Sequence, residues 1–334
     1  MAAPSNPVAR PSSVRNSVLE AIGNTPVVRL RKIVSPDMAD VFVKLEYYNP
    51  TGSYKDRMAL AMIEGAEARG QLKPGMRVVE YTGGSTGSSL ALVCAIKGYP
   101  FVPVSSDGFA REKLQTMRLF GADLRIIPSE NGKLTPELFR TMIDAAKKLG
   151  DEPNSYYTDQ FNNNDAIQGY MGIGHELFEQ LGPRNGPPNG KDPNRQGIDV
   201  FCAGVGTAGM LMGVSRALKS HGATTKIIAL EPASSPVLTT GKGGPHRVEG
   251  IAAGFRPPHL KEGQYDEVRT IDEQEARAMA RRLAKEEGIF TGTSSGLNAV
   301  AALQLARELG PGKTVATVAV DSGFKYLAGD LYTH

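Results

Sequence analysis

One lysine and three glycine-rich turns are the residues best suited to do chemistry. In NPTGSYKDRMALAMIEGAEARG, Ser53 and Asp56 have the S-x-x-D spacing of a capping box, which predicts a helix from about Ser53 with Lys55 in its first turn. An ammonium there faces the positive end of the helix dipole. That costs about 0.3–1 kcal/mol and lowers its pKa toward the range where the free amine is a nucleophile. A lysine that snorkels into solvent escapes the effect, so its neighbours in the fold must decide.

The first turn follows a strand ending near Tyr81, where Thr82-Gly83-Gly84-Ser85-Thr86-Gly87 lead into an apolar helix. Its hydroxyls and free N–H groups suit a carboxylate, although a purely structural turn has the same look. The second, AGVGTAGM at 203–210, carries G-x-G-x-x-G from Gly204 to Gly209, with acidic Glu231 near the end of the next strand. That pattern fits a dinucleotide site, but a helix N-terminus binds any phosphate. The third, Thr291 to Gly296, predicts an N-cap at Ser294 or Ser295. A lysine able to form a Schiff base, a phosphate cradle and a carboxylate cradle are together what a pyridoxal phosphate enzyme acting on an amino acid requires. A hydride-transfer enzyme needs no such lysine, and it stands as the alternative.

Short β-branched runs (VFVKL, RVVEY, FVPVSS, LRIIPS, IDVFCAG, KIIALEP, TVATVAV) alternate with helical periodicity, which predicts an α/β fold of mostly parallel sheets flanked by helices. With 334 residues, 40% of them hydrophobic, the chain is long enough for two lobes. Residues 1–16 read as a disordered tail, weakly like a transit peptide, and 184–197 as an exposed loop. Thirty-eight basic against 35 acidic residues, interspersed, favour a small-molecule partner over nucleic acid or a membrane surface. Cys94 and Cys202 lie in apolar runs and are expected as buried thiols in a reducing, cytoplasmic compartment; the scattered histidines point to no metal. GPGKT at 310–314 fails the phosphate-loop pattern because Arg307 stands where the first glycine belongs.

Ordered segments from Ile22 onward (IGNTPVVRL, VKLEYYNPTGSYKDRMALAMIEGAEARG, TGGSTG, AGVGTAGMLMGVSRALK, EPASSPVL, GGPHRVEGIAAGF, ARRLAKEEGIFTGTSSG and DSGFKYL) resemble the cysteine synthase family. These are the O-acetylserine sulfhydrylases, pyridoxal phosphate enzymes of fold type II, like the tryptophan synthase β chain. The resemblance implies that Lys55 is the Schiff-base lysine and that the phosphate lies on Gly206, Thr207, Ala208, Gly209 and Met210. It further implies that Thr82, Gly83, Gly84, Ser85 and Thr86, with Gln160, hold the substrate α-carboxylate, and that Ser294 faces the pyridine nitrogen. A large domain of 17–51 and 158–334, a small one of 52–157, and a homodimer without haem or adenosylmethionine regulation are implied too. The implied reaction is β-replacement on O-acetyl-L-serine by sulfide. Where the family loop reads T-S-G-N-T this chain has T-G-G-S-T, so Ser85 stands in for an asparagine that contacts the cofactor. Where it reads G-T-G-G-T this chain has G-T-A-G-M. These departures leave open β-elimination of cysteine, O-phosphoserine as donor, or an amine nucleophile.

Overall fold

The computed structural model describes residues 14–132, 135–182 and 197–333. Most of the expected tail, and the expected loop up to residue 196, therefore lie outside the described residues.

Among the described residues ten strands form two sheets. The larger runs in the order β1-β2-β10-β7-β8-β9, from β1 (Val27–Arg29), β2 (Asp40–Leu45), β10 (Thr314–Ala319), β7 (Val200–Gly204), β8 (Lys226–Pro232) and β9 (Glu267–Ile271). Only β1 is antiparallel to its neighbour. The smaller sheet, β5-β4-β3-β6, is wholly parallel and is drawn from β5 (Arg125–Ile127), β4 (Phe101–Ser106), β3 (Arg77–Tyr81) and β6 (Ser155–Tyr157). All seven expected strand runs lie in these sheets. The three short strands β1, β6 and β9 were not foreseen, because partly exposed edge strands carry little apolar signal.

Central strands such as β4 and β8 are buried on both faces, as parallel sheets covered by helices require. The cover is α1 (Lys55–Ala68), α2 (Ser85–Lys97), α3 (Arg111–Leu119), α4 (Pro136–Gly150), α5 (Asn164–Leu181), α6 (Gly209–Ser220), the single turn α7 (Val237–Thr240), α8 (Glu273–Arg282) and α9 (Thr293–Leu309). Helix α5 packs on both α1 and α6, and α1 on α2. One apolar core therefore runs continuously from Met58 and Leu90 to Leu211 and Phe201. The crossover from β2 to β3 carries the chain from the large sheet to the small one through α1, so Lys55 stands where the sheets meet. No helix among the described residues is long and apolar enough to cross a membrane.

Candidate active site

A single cavity of about 1320 Å³ is lined by Lys55, by Thr82 through Thr86, and by Gln160, Gly206, Thr207 and Ser294. Lys55 is the first residue of α1 and only 7% exposed. The expected capping box does not form. Ser53 Oγ accepts from the Lys55 N–H at 3.2 Å, but the Asp56 carboxylate turns back to the Thr51 N–H (2.8 Å) and hydroxyl (2.5 Å). Tyr54, already helical, occupies the cap position without a side-chain bond. The lysine is therefore nearer the helix end than expected, and burial is what lowers its pKa to about 8, against the pull of the Glu80 carboxyl. Its Nζ lies 5.1 Å from the ring centre of Tyr54 and 6.0 Å from that of Tyr170. Among the described residues no carboxylate forms an ion pair with it. A buried amine without a counter-charge is held near the balance between its protonated and neutral forms.

The start of α1 is anchored by Arg57, two residues on. Its guanidinium holds Glu46 (Nε, 2.8 Å) and Glu176 of α5 (Nη1, 2.6 Å). Lys44 of β2 pairs with Glu176 at 2.8 Å and donates to the Thr25 carbonyl at 3.0 Å. Two cations and two carboxylates thereby tie β2, α1 and α5 together beneath the lysine.

In the loop before α2, Thr82 Oγ1 accepts from the N–H groups of Gly84 and Gly87, each at 3.0 Å. This hydroxyl caps the helix from inside the loop and leaves Ser85 and Thr86 facing the cavity. Gly84 has φ +154°, a conformation that side chains rarely adopt. Gln160 is fixed from three sides: it accepts from Thr86 Oγ1 (2.8 Å), donates from Nε2 to the Tyr81 carbonyl (3.0 Å), and its backbone N–H reaches Glu80 at 3.1 Å. Burial pushes the Glu80 carboxyl up to about 8, against the hydrogen bonds it accepts from Thr158 and Gln160.

The second loop joins β7 to α6. Ala208 at the N-cap offers this helix no side-chain acceptor, and the Thr207 hydroxyl accepts from the Gly209 N–H at 3.4 Å, so the N–H groups after Gly209 are the ones left for a ligand. A Cβ on Gly206 would stand 2.5 Å from the Gly250 carbonyl oxygen, which explains the glycine. Ala208 is in the left-handed region at φ +66°. Gly206 and Thr207 line the cavity; Ala208, Gly209 and Met210 do not, and Met210 is buried in the apolar core. The side chains of Ala208 and Met210 are therefore not presented to the cavity. Glu231 spends its carboxylate on the N–H groups of Leu238 (2.6 Å) and Thr239 (3.1 Å), capping α7, which removes the acid that a dinucleotide ribose would need.

Ser294 is buried on the first turn of α9 and lines the cavity. Neither it nor Ser295 is the N-cap, which is Gly292. Ser295 Oγ instead accepts from the Val320 N–H (3.0 Å) and the Thr291 hydroxyl (2.6 Å), tying α9 to the end of β10. Lys113, Glu249, Asp321 and Tyr326 also line the cavity and were not foreseen. The segments GGPHRVEGIAAGF and DSGFKYL held three of them. Cys94 and Cys202 are buried, and burial pushes both thiols up to about 12, too high for reactivity.

The loop after β7, cradled against Gly250 and leading into a helix N-terminus, fits a phosphate, and the buried amine fits an aldehyde partner. Residues 18–321 match the family described as pyridoxal-phosphate dependent enzymes. The chain is 43% identical over 320 residues to a cysteine synthase of Staphylococcus aureus, covering 95% of this chain and 97% of that one. Among solved structures, an Entamoeba histolytica cysteine synthase superposes with a TM-score of 0.86 at 32% identity, covering 100% of this chain and 94% of that one. An O-ureido-L-serine synthase superposes with a TM-score of 0.84 at 34% identity, over 96% of each chain. By the extent of these matches the chain belongs to the pyridoxal-phosphate dependent enzymes.

Proposed function

We propose that the enzyme catalyses β-replacement on O-acetyl-L-serine, with sulfide giving L-cysteine and acetate. One observation carries it: a buried, unpaired amine shares a cavity with two loop-to-helix anion cradles of different construction. The S. aureus and E. histolytica relatives support the choice of reaction.

The backbone of Gly206, Thr207, Ala208, Gly209 and Met210 would hold the cofactor phosphate at the α6 N-terminus, with Ser294 at the ring nitrogen. Pyridoxal phosphate, when bound, supplies an electron sink for negative charge at the substrate α-carbon. Ser294 is a neutral hydroxyl and does not fix a proton on the ring as a carboxylate would, which favours loss of a β leaving group over transamination. Lys55 would hold the cofactor aldehyde, and its Nζ, as a free amine, would take the α-proton; a pKa of about 8 leaves that amine available near neutrality. Thr82, Gly83, Gly84, Ser85 and Thr86, with Gln160, orient the donor by its carboxylate. Residues 52–157, as the smaller unit, would bring this loop onto the donor and exclude water.

Borohydride reduction followed by peptide mapping tests the site, with a pyridoxyl adduct expected on Lys55. Product analysis with O-acetylserine and sulfide tests the reaction. Cysteine and acetate are expected; pyruvate with ammonia, or product only with an amine nucleophile, would overturn the assignment.

A further inference from the structure

The cofactor and donor assignments leave one buried acid of the cavity wall without a task, Asp321, two residues beyond β10. It is 5% exposed and stands between the segments that carry Lys55 and Ser294. Asp321 forms a β-bridge with Ser53, two residues before Lys55, and Ser322 one with Thr291, three before Ser294. The Asp321 carbonyl accepts from the Thr291 hydroxyl at 2.7 Å, and its Oδ2 accepts from the Tyr326 hydroxyl at 2.6 Å. The carboxylate is thus fixed through backbone and side chain. Yet among the described residues no donor reaches its buried Oδ1. Gly292 keeps the space beside that oxygen clear, for a Cβ there would stand 2.8 Å from it.

A buried acceptor without a donor is destabilising, so a fixed one in a cavity wall points to a ligand that brings the donor. Phosphate and carboxylate are acceptors themselves, and the donor's amine goes to the cofactor aldehyde. The nucleophile remains. A carboxylate repels an anion but receives a neutral molecule that has a proton to give. Burial raises the Asp321 carboxyl and makes it a stronger proton acceptor than an exposed one. Lys113, Lys325 and the Tyr326 hydrogen bond pull the other way, and Glu249 adds to the rise. The phenols of Tyr54 and Tyr332 also lie within its field.

We infer that Asp321 is the proton acceptor for the nucleophile: Oδ1 receives hydrogen sulfide in its neutral form and takes a proton from it as the sulfur attacks. This rests on the β-replacement reading above. Acetate has by then left with the electron pair of the β-carbon–oxygen bond. A sulfur lone pair forms the carbon–sulfur bond, the pair of the broken S–H bond stays on sulfur, and the proton passes to Oδ1 and from there to solvent. The proton that Lys55 took from the α-carbon returns there separately.

The holoenzyme is assayed in two halves, below the first pKa of hydrogen sulfide: acetate released in a single turnover without nucleophile, and cysteine formed once sulfide is added. Asp321→Asn keeps the shape and removes the base. It should slow the sulfide half by at least about tenfold relative to acetate release. The deficit should shrink as pH rises and sulfide ionises unaided. Cofactor affinity, from absorbance titration, should match the wild type. A ratio of the two halves unchanged within about twofold marks Asp321 as structural and overturns the inference. Weaker cofactor binding gives Oδ1 to the cofactor and overturns it as well. If Asp321→Asn does not fold, Tyr326→Phe carries the test. Loss of the hydrogen bond to the ionised Oδ2 raises the carboxyl, so the acid limb of the sulfide profile should move up by about one pH unit while that of acetate release stays. No shift overturns the inference while leaving β-replacement standing. Pyruvate in place of cysteine from the wild type removes both.

Discussion

The two loop-to-helix turns that face the cavity use the same device, a loop threonine that accepts from backbone N–H groups, to different extents. Before α2, the Thr82 hydroxyl absorbs two backbone donors, those of Gly84 and Gly87, and Ser85 and Thr86 add hydroxyls to the cavity wall, the Thr86 hydroxyl donating to Gln160 Oε1. Before α6 the Thr207 hydroxyl takes a single backbone donor, the Gly209 N–H, in a long bond of 3.4 Å, so the other backbone donors and the helix dipole are left to meet the ligand. A doubly charged phosphate that stays bound would suit the more open helix end, that of α6, where the field is strongest. A carboxylate that comes and goes suits adjustable hydroxyl donors. The supports differ as well: behind the first lies a titratable group, Glu80, and behind the second a backbone carbonyl, Gly250.

The strongest way to break this contrast is Thr82→Val. It strands two buried N–H groups and should cost about 2–3 kcal/mol in urea unfolding. Donor KM should rise while cofactor affinity, measured by absorbance titration, holds. Gly206→Ala should do the reverse. Its Cβ would press on the Gly250 carbonyl, costing about 1–3 kcal/mol and weakening cofactor binding, with a smaller change in donor KM once the enzyme is saturated. Next in size is a gain. Ala208→Gly should stabilise the holoenzyme by about 1 kcal/mol in thermal unfolding, because φ +66° strains alanine and not glycine.

The smallest effect separates the cradles by pH. The Glu80 carboxyl is raised from 4.5 unfolded to about 8 folded, so its contribution to stability is full below 4.5 and is lost as pH rises through about 8. Ionisation puts a charge beneath Gln160. Donor affinity should therefore weaken above pH 8 while cofactor affinity stays level, and Glu80→Gln should flatten the donor profile. Parallel profiles for both ligands would end the distinction.

The alternation of β-branched runs gave the parallel strands, and glycine spacing gave the two strand-to-helix turns, because these patterns are local. What failed was whatever depends on which of several partners, near or far along the chain, a side chain meets in the fold. Ser53 and Asp56 have capping-box spacing, yet Thr51 captures the carboxylate. Ser295 has the sequence of an N-cap, yet Val320 at the end of β10 draws its hydroxyl away. Lys113 and Glu249 stand 136 residues apart, and no periodicity could have joined them. Ala208, Gly209 and Met210 were grouped by family pattern, and only the fold reveals that the Met210 side chain turns to the core. Even the low pKa of Lys55 has another cause than the dipole argument supplied: desolvation, which depends on the rings and helices around it.

The ion cluster under α1 also sets how the enzyme meets acid. Burial works against it, but Arg57 and Lys44 hold the Glu176 carboxyl down at about 2. The stabilisation from its ionised form is present above about 4.5 and drains away only as pH falls toward 2. When that anchor finally protonates, the segment released is the one bearing Lys55, so acid inactivation and acid denaturation should coincide in a single event.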